Sequence, residues 1–120
     1  MSADGIRQHL ADAQRASRAG KRDQARDHFE AVLAIDNEEP NARNWLGADA
    51  LARKDARAAA MHFEVACRRQ PRERSHWINL ASAHRALGDF ERERGALDQA
   101  LAIDQTDLLA LVRIAELVAG

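Results

Sequence analysis

Residues 46–71 read LGADALARKDARAAAMHFEVACRRQP. Two apolar stripes with helical spacing run through this stretch. Leu46, Gly47 and Ala50 recur at i, i+1 and i+4, and Ala59, Phe63, Ala66 and Cys67 at i, i+4, i+7 and i+8. Each pattern gathers small or apolar side chains onto one face of an α-helix. Between them, Lys54-Asp55 reads as a turn, with a helix-ending left-handed residue followed by a helix N-cap. Lys54 stands where glycine is the natural residue, which implies a strain of roughly 1 kcal/mol. Pro71 lies where the second helix must stop. Gly47 and Ala59 are small because two antiparallel helices have to approach closely. The stretch is a helical hairpin.

Shifting the chain by 34 residues in either direction brings like onto like. Gly20, Lys54 and Gly88 align, as do Ala25, Ala59 and Glu93, and Phe29, Phe63 and Leu97. Val32, Ala66 and Ala100 form a further set; Leu33, Cys67 and Leu101 another; Ile35, Arg69 and Ile103 a third. Upstream, Ala13, Gly47, Ala81 and Ala115 share a position, and so do Leu46, Leu80 and Ile114. No gap is needed. The spacing predicts repeats over about 6–39, 40–73 and 74–107 and a half repeat over 108–120, which makes seven helices in one domain spanning residues 1–120. Pro40 falls where a first-turn proline is tolerated.

The second repeat, with Leu46-Gly47, Ala59-x3-Phe63 and Pro71, resembles the tetratricopeptide (TPR) repeat, whose pattern is W-x2-L-G-x2-Y, A-x3-F and P. The third matches at Trp77-x2-Leu80-Ala81-x2-His84 but has Glu93 for Ala and Leu97 for Phe; the first keeps Gly20, Ala25 and Phe29 but has Asp12 for Leu. The resemblance extends from about Ile6 to Ala119. It implies an all-α, right-handed solenoid in which the first helices of successive hairpins line a concave groove for a peptide or partner protein.

In that frame the groove residues are Arg7, Leu10, Gln14 and Arg18, then Asn41, Asn44, Trp45 and Ala48, then Ile78, Asn79, Ser82 and Arg85, with Leu109, Val112, Arg113 and Glu116 at the far end. Chaperone-binding relatives hold a C-terminal carboxylate with a Lys/Asn/Arg clamp. The matching positions here, Leu10, Gln14, Trp45, Ser75 and Asn79, carry none of the expected residues, so a chaperone tail is not the expected ligand. Trp45 lies one step off the core stripe and is expected to be partly exposed beside Asn44, Asn79 and Arg85 as a binding anchor, or else to pack over the first hairpin. Trp77, in the family's own tryptophan slot, is expected in the core.

Composition agrees with this reading. Apolar residues make up 46% of the 120, yet aromatics are only 4%, and six glycines and two prolines are too few for a many-turned β-protein. Only Lys21 and Lys54 among 18 basic residues are lysine, and the formal net charge of −1 gives no basic excess for phosphate, so nucleic acid is not expected. A single Cys67, aligned with Leu33 and Leu101, reads as a core residue rather than a reactive thiol. There is no run of ~18 apolar residues and no signal-like core in Met1–Leu10, so the expected location is cytoplasmic, with no membrane partner. The histidines His9, His28, His62, His76 and His84 form no metal-ligand motif. No cofactor, metal or catalytic residue is expected in this segment.

The last unit has an unusual end. Leu108, Leu109, Leu111, Val112, Ile114, Leu117 and Val118 crowd one helix, where a terminal helix ordinarily turns a polar face to water. Leu108, Leu111, Ala115 and Val118 are expected to pack back on the third hairpin, leaving Ile114 and Leu117 to face a partner helix. Continuation in a longer protein, a homodimer through this helix, or burial by bending would each cover them. The Ala/Arg-rich repeats also resemble those that precede the catalytic domain of bacterial aspartyl/asparaginyl β-hydroxylase-like dioxygenases, which implies an accessory domain of an enzyme.

Overall fold

The computed structural model describes residues 3–119; Met1, Ser2 and Gly120, the last residue of the expected half repeat, lie outside the described residues. Seven helices follow in order: α1 (Ala3–Arg18), α2 (Arg22–Ile35), α3 (Pro40–Ala52), α4 (Ala56–Arg69), α5 (Arg74–Ala86), α6 (Phe90–Ile103) and α7 (Leu108–Ala119). Helices α2, α4 and α6 start 34 residues apart, and so do α3, α5 and α7. The helices pair as hairpins α1–α2, α3–α4 and α5–α6, with α7 against the third, in an elongated array of 47 × 26 × 21 Å. The fold is an α-solenoid.

Turn chemistry accounts for the boundaries. Gly20 (φ 77°), Lys54 (φ 64°) and Gly88 (φ 75°) each hold the left-handed conformation between the two helices of a hairpin. Asp55 and Asp89 then cap α4 and α6 by accepting from the Ala58 and Arg92 amides, both at 3.1 Å. Glu39 caps α3 by accepting from Ala42 N at 2.7 Å, with Pro40 in the first turn, where its missing N–H costs nothing. Between hairpins a tight turn recurs, in which the Glu39, Glu73 and Asp107 amides donate to the Asp36, Gln70 and Asp104 carbonyls.

Most of the aligned apolar positions are buried, although Ile35 is half-buried and Ile103 and Ala115 are exposed. Ala13 and Ala81, Ala25 and Ala59, Phe29, Phe63 and Leu97, and Val32, Ala66 and Ala100 all lie in the core. They form two apolar clusters. One joins α1 and α2 to Ala42 and Leu46 of α3; the other runs from Ala50 and α4 through the third hairpin to Ala110 of α7. Gly47 makes room for a close approach within the second hairpin, since a Cβ there would lie 2.6 Å from the Phe63 ring.

The terminal helix departs from expectation. Ile114 and Leu117, expected to face outward, are half-buried against the third hairpin, whereas Leu108 is 75% and Val118 67% exposed, and Leu111 is also exposed. The reason lies in the repeat itself. Ile114 repeats Leu46 and Leu80, which pack toward the preceding hairpin, while Leu111, Ala115 and Val118 repeat Trp77, Ala81 and His84, on the face that a hairpin's own second helix covers. Among the described residues α7 has no such second helix.

Candidate functional site

The first helices α1, α3, α5 and α7 lie side by side and are bonded to one another. Trp45 Nε1–H donates to Ser17 Oγ at 3.0 Å, joining α3 to α1. Asn79 Nδ2 donates to Asn44 Oδ1 at 2.7 Å, joining α5 to α3. Arg113 donates to Ser82 Oγ at 2.9 Å, and Arg85 reaches Glu116 at 3.3 Å, joining α7 to α5. Seven of the residues expected to contact a ligand thus spend polar groups on holding the surface together.

Trp45 is the clearest case. Its ring stacks on Phe29 with centroids 4.8 Å apart, and it packs against the first hairpin's core. It is a half-buried joint between hairpins rather than a free anchor. Ile78 is likewise half-buried against the core, and Leu10 packs beside the first cluster. The side chains left outermost on this face are Arg7, Gln14, Arg18, Asn41, Ala48, Ser75, Leu109 and Val112, all exposed. Arg7 pairs with Asp4, and Asn41 donates to Glu39 at 3.2 Å. The surface passes from basic and amide groups at α1 and α3 to apolar groups at α7. Trp77 is only partly in the core, with Nε1–H donating to the Pro71 carbonyl at 2.9 Å.

Besides the helix caps Glu39 and Asp107, two carboxylates are buried. Asp49 on α3 is 2% exposed and accepts from Arg26 at 2.9 Å and from Arg22 and Arg53, both at 3.0 Å. The Arg26 guanidinium holds its carboxyl below the usual carboxylate range, against the opposing effect of burial. Its repeat counterparts are Ala83, which is buried, and Leu117, which is half-buried. That inward slot carrying a charge, with arginines within reach on α2 and after α3, is the signal that exposes Asp49 in the sequence. Glu93 on α6 is the second. It is fully buried like its counterparts Ala25 and Ala59, and neither carboxylate oxygen has a hydrogen-bond partner among the described residues. Arg85 stands 3.6 Å from it.

Cys67 is buried, and burial pushes its thiol up to about 12. His9 and His28, not linked by the repeat frame, come together with Nδ1 atoms 3.2 Å apart. Among the described residues no three His, Cys, Asp or Glu side chains gather as a metal site, and no helix is long and apolar enough to cross a membrane.

The seven helices of the described residues, six of them in 34-residue register and the first helices bonded into one surface, form a tetratricopeptide-type helical-repeat fold. The chain superposes on the first TPR domain of Spaghetti (RPAP3) bound to an HSP90 peptide with a TM-score of 0.87 at 13% identity, over 99% of this chain and 94% of that one. It matches PcrH in complex with the chaperone binding region of PopB with a TM-score of 0.75 at 22% identity, over 99% and 96%. It also matches an O-GlcNAc transferase of Thermobaculum terrenum with a TM-score of 0.78 at 26% identity, over 92% of this chain but 22% of that one. No family model and no curated protein matches the sequence. The TPR fold is therefore established by structure.

Proposed function

We propose that this chain is a protein-interaction module that binds a peptide or an extended segment of a partner protein across the face of α1, α3, α5 and α7. The observation that carries this reading is the continuous surface built by helix-to-helix side-chain bonds, which is held rigid before any ligand arrives. The RPAP3 and PcrH complexes, in which the same fold holds a peptide or a segment of another protein, support it by analogy of fold. The outer residues Arg7, Gln14, Asn41, Leu109 and Val112 make first contact; Trp45, Asn44, Asn79, Ser82, Arg85 and Arg113 shape and stiffen the surface. The ligand differs from the HSP90 tail, because Leu10 and Asn79, at two of the clamp positions, are committed to the core and to Asn44.

Display selection of random peptides against the chain tests this. Enriched peptides should bind at least tenfold more weakly to a Gln14→Glu, Asn41→Glu, Leu109→Glu variant whose melting temperature is unchanged. Peptides that bind both proteins equally would place the interaction elsewhere.

A second reading is self-association, favoured by the exposed apolar row of Leu108, Leu111 and Val118 on α7. The likeness to a stretch making up 22% of a transferase also fits a module attached to a larger enzyme.

A further inference from the structure

The niche where one hairpin meets the next recurs along the array, and the chain fills it differently each time. Between the first two hairpins it holds the Asp49 carboxylate, closed by guanidinium groups from Arg22, Arg26 and Arg53. Between the second and third the counterparts of Asp49, Arg22 and Arg26 are Ala83, Ala56 and Ala60, so the niche is apolar. Between the third hairpin and α7 lies an open cavity of about 420 Å³ lined by Arg85, Phe90, Glu93, Glu116 and Leu117. Glu93 contributes a carboxylate that is 0% exposed, with no hydrogen-bond donor on either oxygen among the described residues. Phe90 replaces Arg22 here, and Leu117 replaces Asp49. Among the described residues Arg85 is the one cation within 4 Å of Glu93, at 3.6 Å, and it is shared with Glu116 at 3.3 Å, so two carboxylates face one guanidinium.

A carboxylate taken out of water with no hydrogen-bond donor and only a shared guanidinium beside it is costly, and a sequence has little reason to keep one where alanine serves. Alanine does serve at the equivalent Ala25 and Ala59, both fully buried. The missing component is a cation, and the Asp49 niche shows what kind of group satisfies a carboxylate in this setting. We propose that the cavity receives a basic side chain, arginine or lysine, of the bound polypeptide. Its alkyl stem lies on Phe90 and Leu117, and its charged end donates to Glu93. The proposal rests on the reading of α1, α3, α5 and α7 as the peptide-binding face, since Arg85 and Glu116 stand at the edge of that face. It adds a requirement for a positive charge at one position of the ligand.

The test is NMR titration of the whole chain with N-acetyl-arginine amide, N-acetyl-norleucine amide and agmatine. The arginine compound should shift the backbone amides of Phe90, Glu93, Glu116 and Leu117 saturably, with a dissociation constant of roughly millimolar order. The norleucine compound should not. Glu93→Ala, which installs the residue the other repeats carry, should weaken binding at least tenfold while raising the melting temperature. Arg85→Gln, which removes the competing cation, should tighten it several-fold. Absent or unsaturable shifts, or the same shifts in Glu93→Ala, would overturn the proposal. Agmatine binding more than tenfold tighter than the capped residue would also overturn it, in favour of a small free cation. The display selection separates this from the wider reading: enriched peptides with no basic residue leave the binding face standing and sink the pocket. If no peptide is enriched, the peptide-face reading fails, and the titration still decides whether the cavity takes a cation.

Discussion

At the scale of single residues, burial decides chemistry that residue type alone would misjudge. Cys67 is enclosed by the second apolar cluster, and its thiol is pushed up to about 12, so at pH 8 it carries almost no thiolate. Ellman's reagent should leave it unmodified in the native chain and titrate one thiol in denaturant; rapid native labelling would mean that α4 opens. Lys54, with φ 64°, bears the strain expected of a non-glycine residue in the left-handed conformation. Lys54→Gly should therefore stabilise by about 0.5–1 kcal/mol, after allowing for glycine's looser unfolded state. Two histidines give the fold a pH dependence. His62 Nδ1 accepts from Arg43 at 3.1 Å, and His76 donates Nε2–H to Gln70 at 2.8 Å, leaving its Nδ1 buried without a partner. Desolvation lowers both below the ordinary value of 6.5, and Arg43 adds to the effect at His62. Between the lowered folded value and 6.5 the unfolded chain binds more protons, so stability is full above that range and falls as pH drops through it. The melting temperature should decline from pH 7.5 to pH 5.5, and His76→Gln should flatten the decline. A profile unchanged by that variant would remove His76 from the account.

At the scale of the helix, what was legible in the sequence is what repetition averages over. The starts of α2 to α7 keep the 34-residue register, whereas α1 begins at Ala3, ahead of the expected position 6, and the buried small residues follow from close approach, as at Gly47, whose absent side chain makes room for the Phe63 ring. Ala59→Leu should overpack the same contact and cost about 1–3 kcal/mol in thermal melts. Less legible were the features that one repeat carries alone. The sequence leaves Trp45 open between an exposed anchor and a residue packed over the first hairpin, because its partner Phe29 sits on a different hairpin, a contact that spacing within one helix does not reveal. The sequence does not set the orientation of α7, because its apolar residues run almost all the way round and leave no polar face to give direction. Two variants check the corrected orientation. Ile114→Glu places a charge against the third hairpin and should lower stability by about 2–3 kcal/mol. Leu111→Glu should leave stability nearly unchanged and weaken any concentration-dependent association seen in sedimentation. The opposite ranking would restore the outward placement of Ile114.

At the scale of the whole molecule, a linear array is only as cooperative as its joints, because each hairpin touches only its neighbours. The two apolar clusters divide at α3, which gives Ala42 and Leu46 to the first hairpin and Ala50 to the second. The first hairpin is then fastened across the gap by Trp45 stacked on Phe29, Trp45 bonded to Ser17, Asp49 held by Arg22 and Arg26, and Asp36 paired with Arg69 at 3.2 Å. Trp45→Ala removes two of these at once. Truncating a half-buried aromatic that stacks and donates a hydrogen bond should cost roughly 2–3 kcal/mol. The loss should be uneven, since it falls on the joint and not on either cluster. Hydrogen exchange should quicken in α1 and α2, while α4, α5 and α6 keep their protection. Ligands that contact only α5 and α7 should keep their affinity in this variant, whereas those spanning α1 and α3 lose it together with the order of the first hairpin. Uniform loss of protection along the chain would show instead that the array unfolds as one cooperative unit and that the division at α3 has no energetic weight.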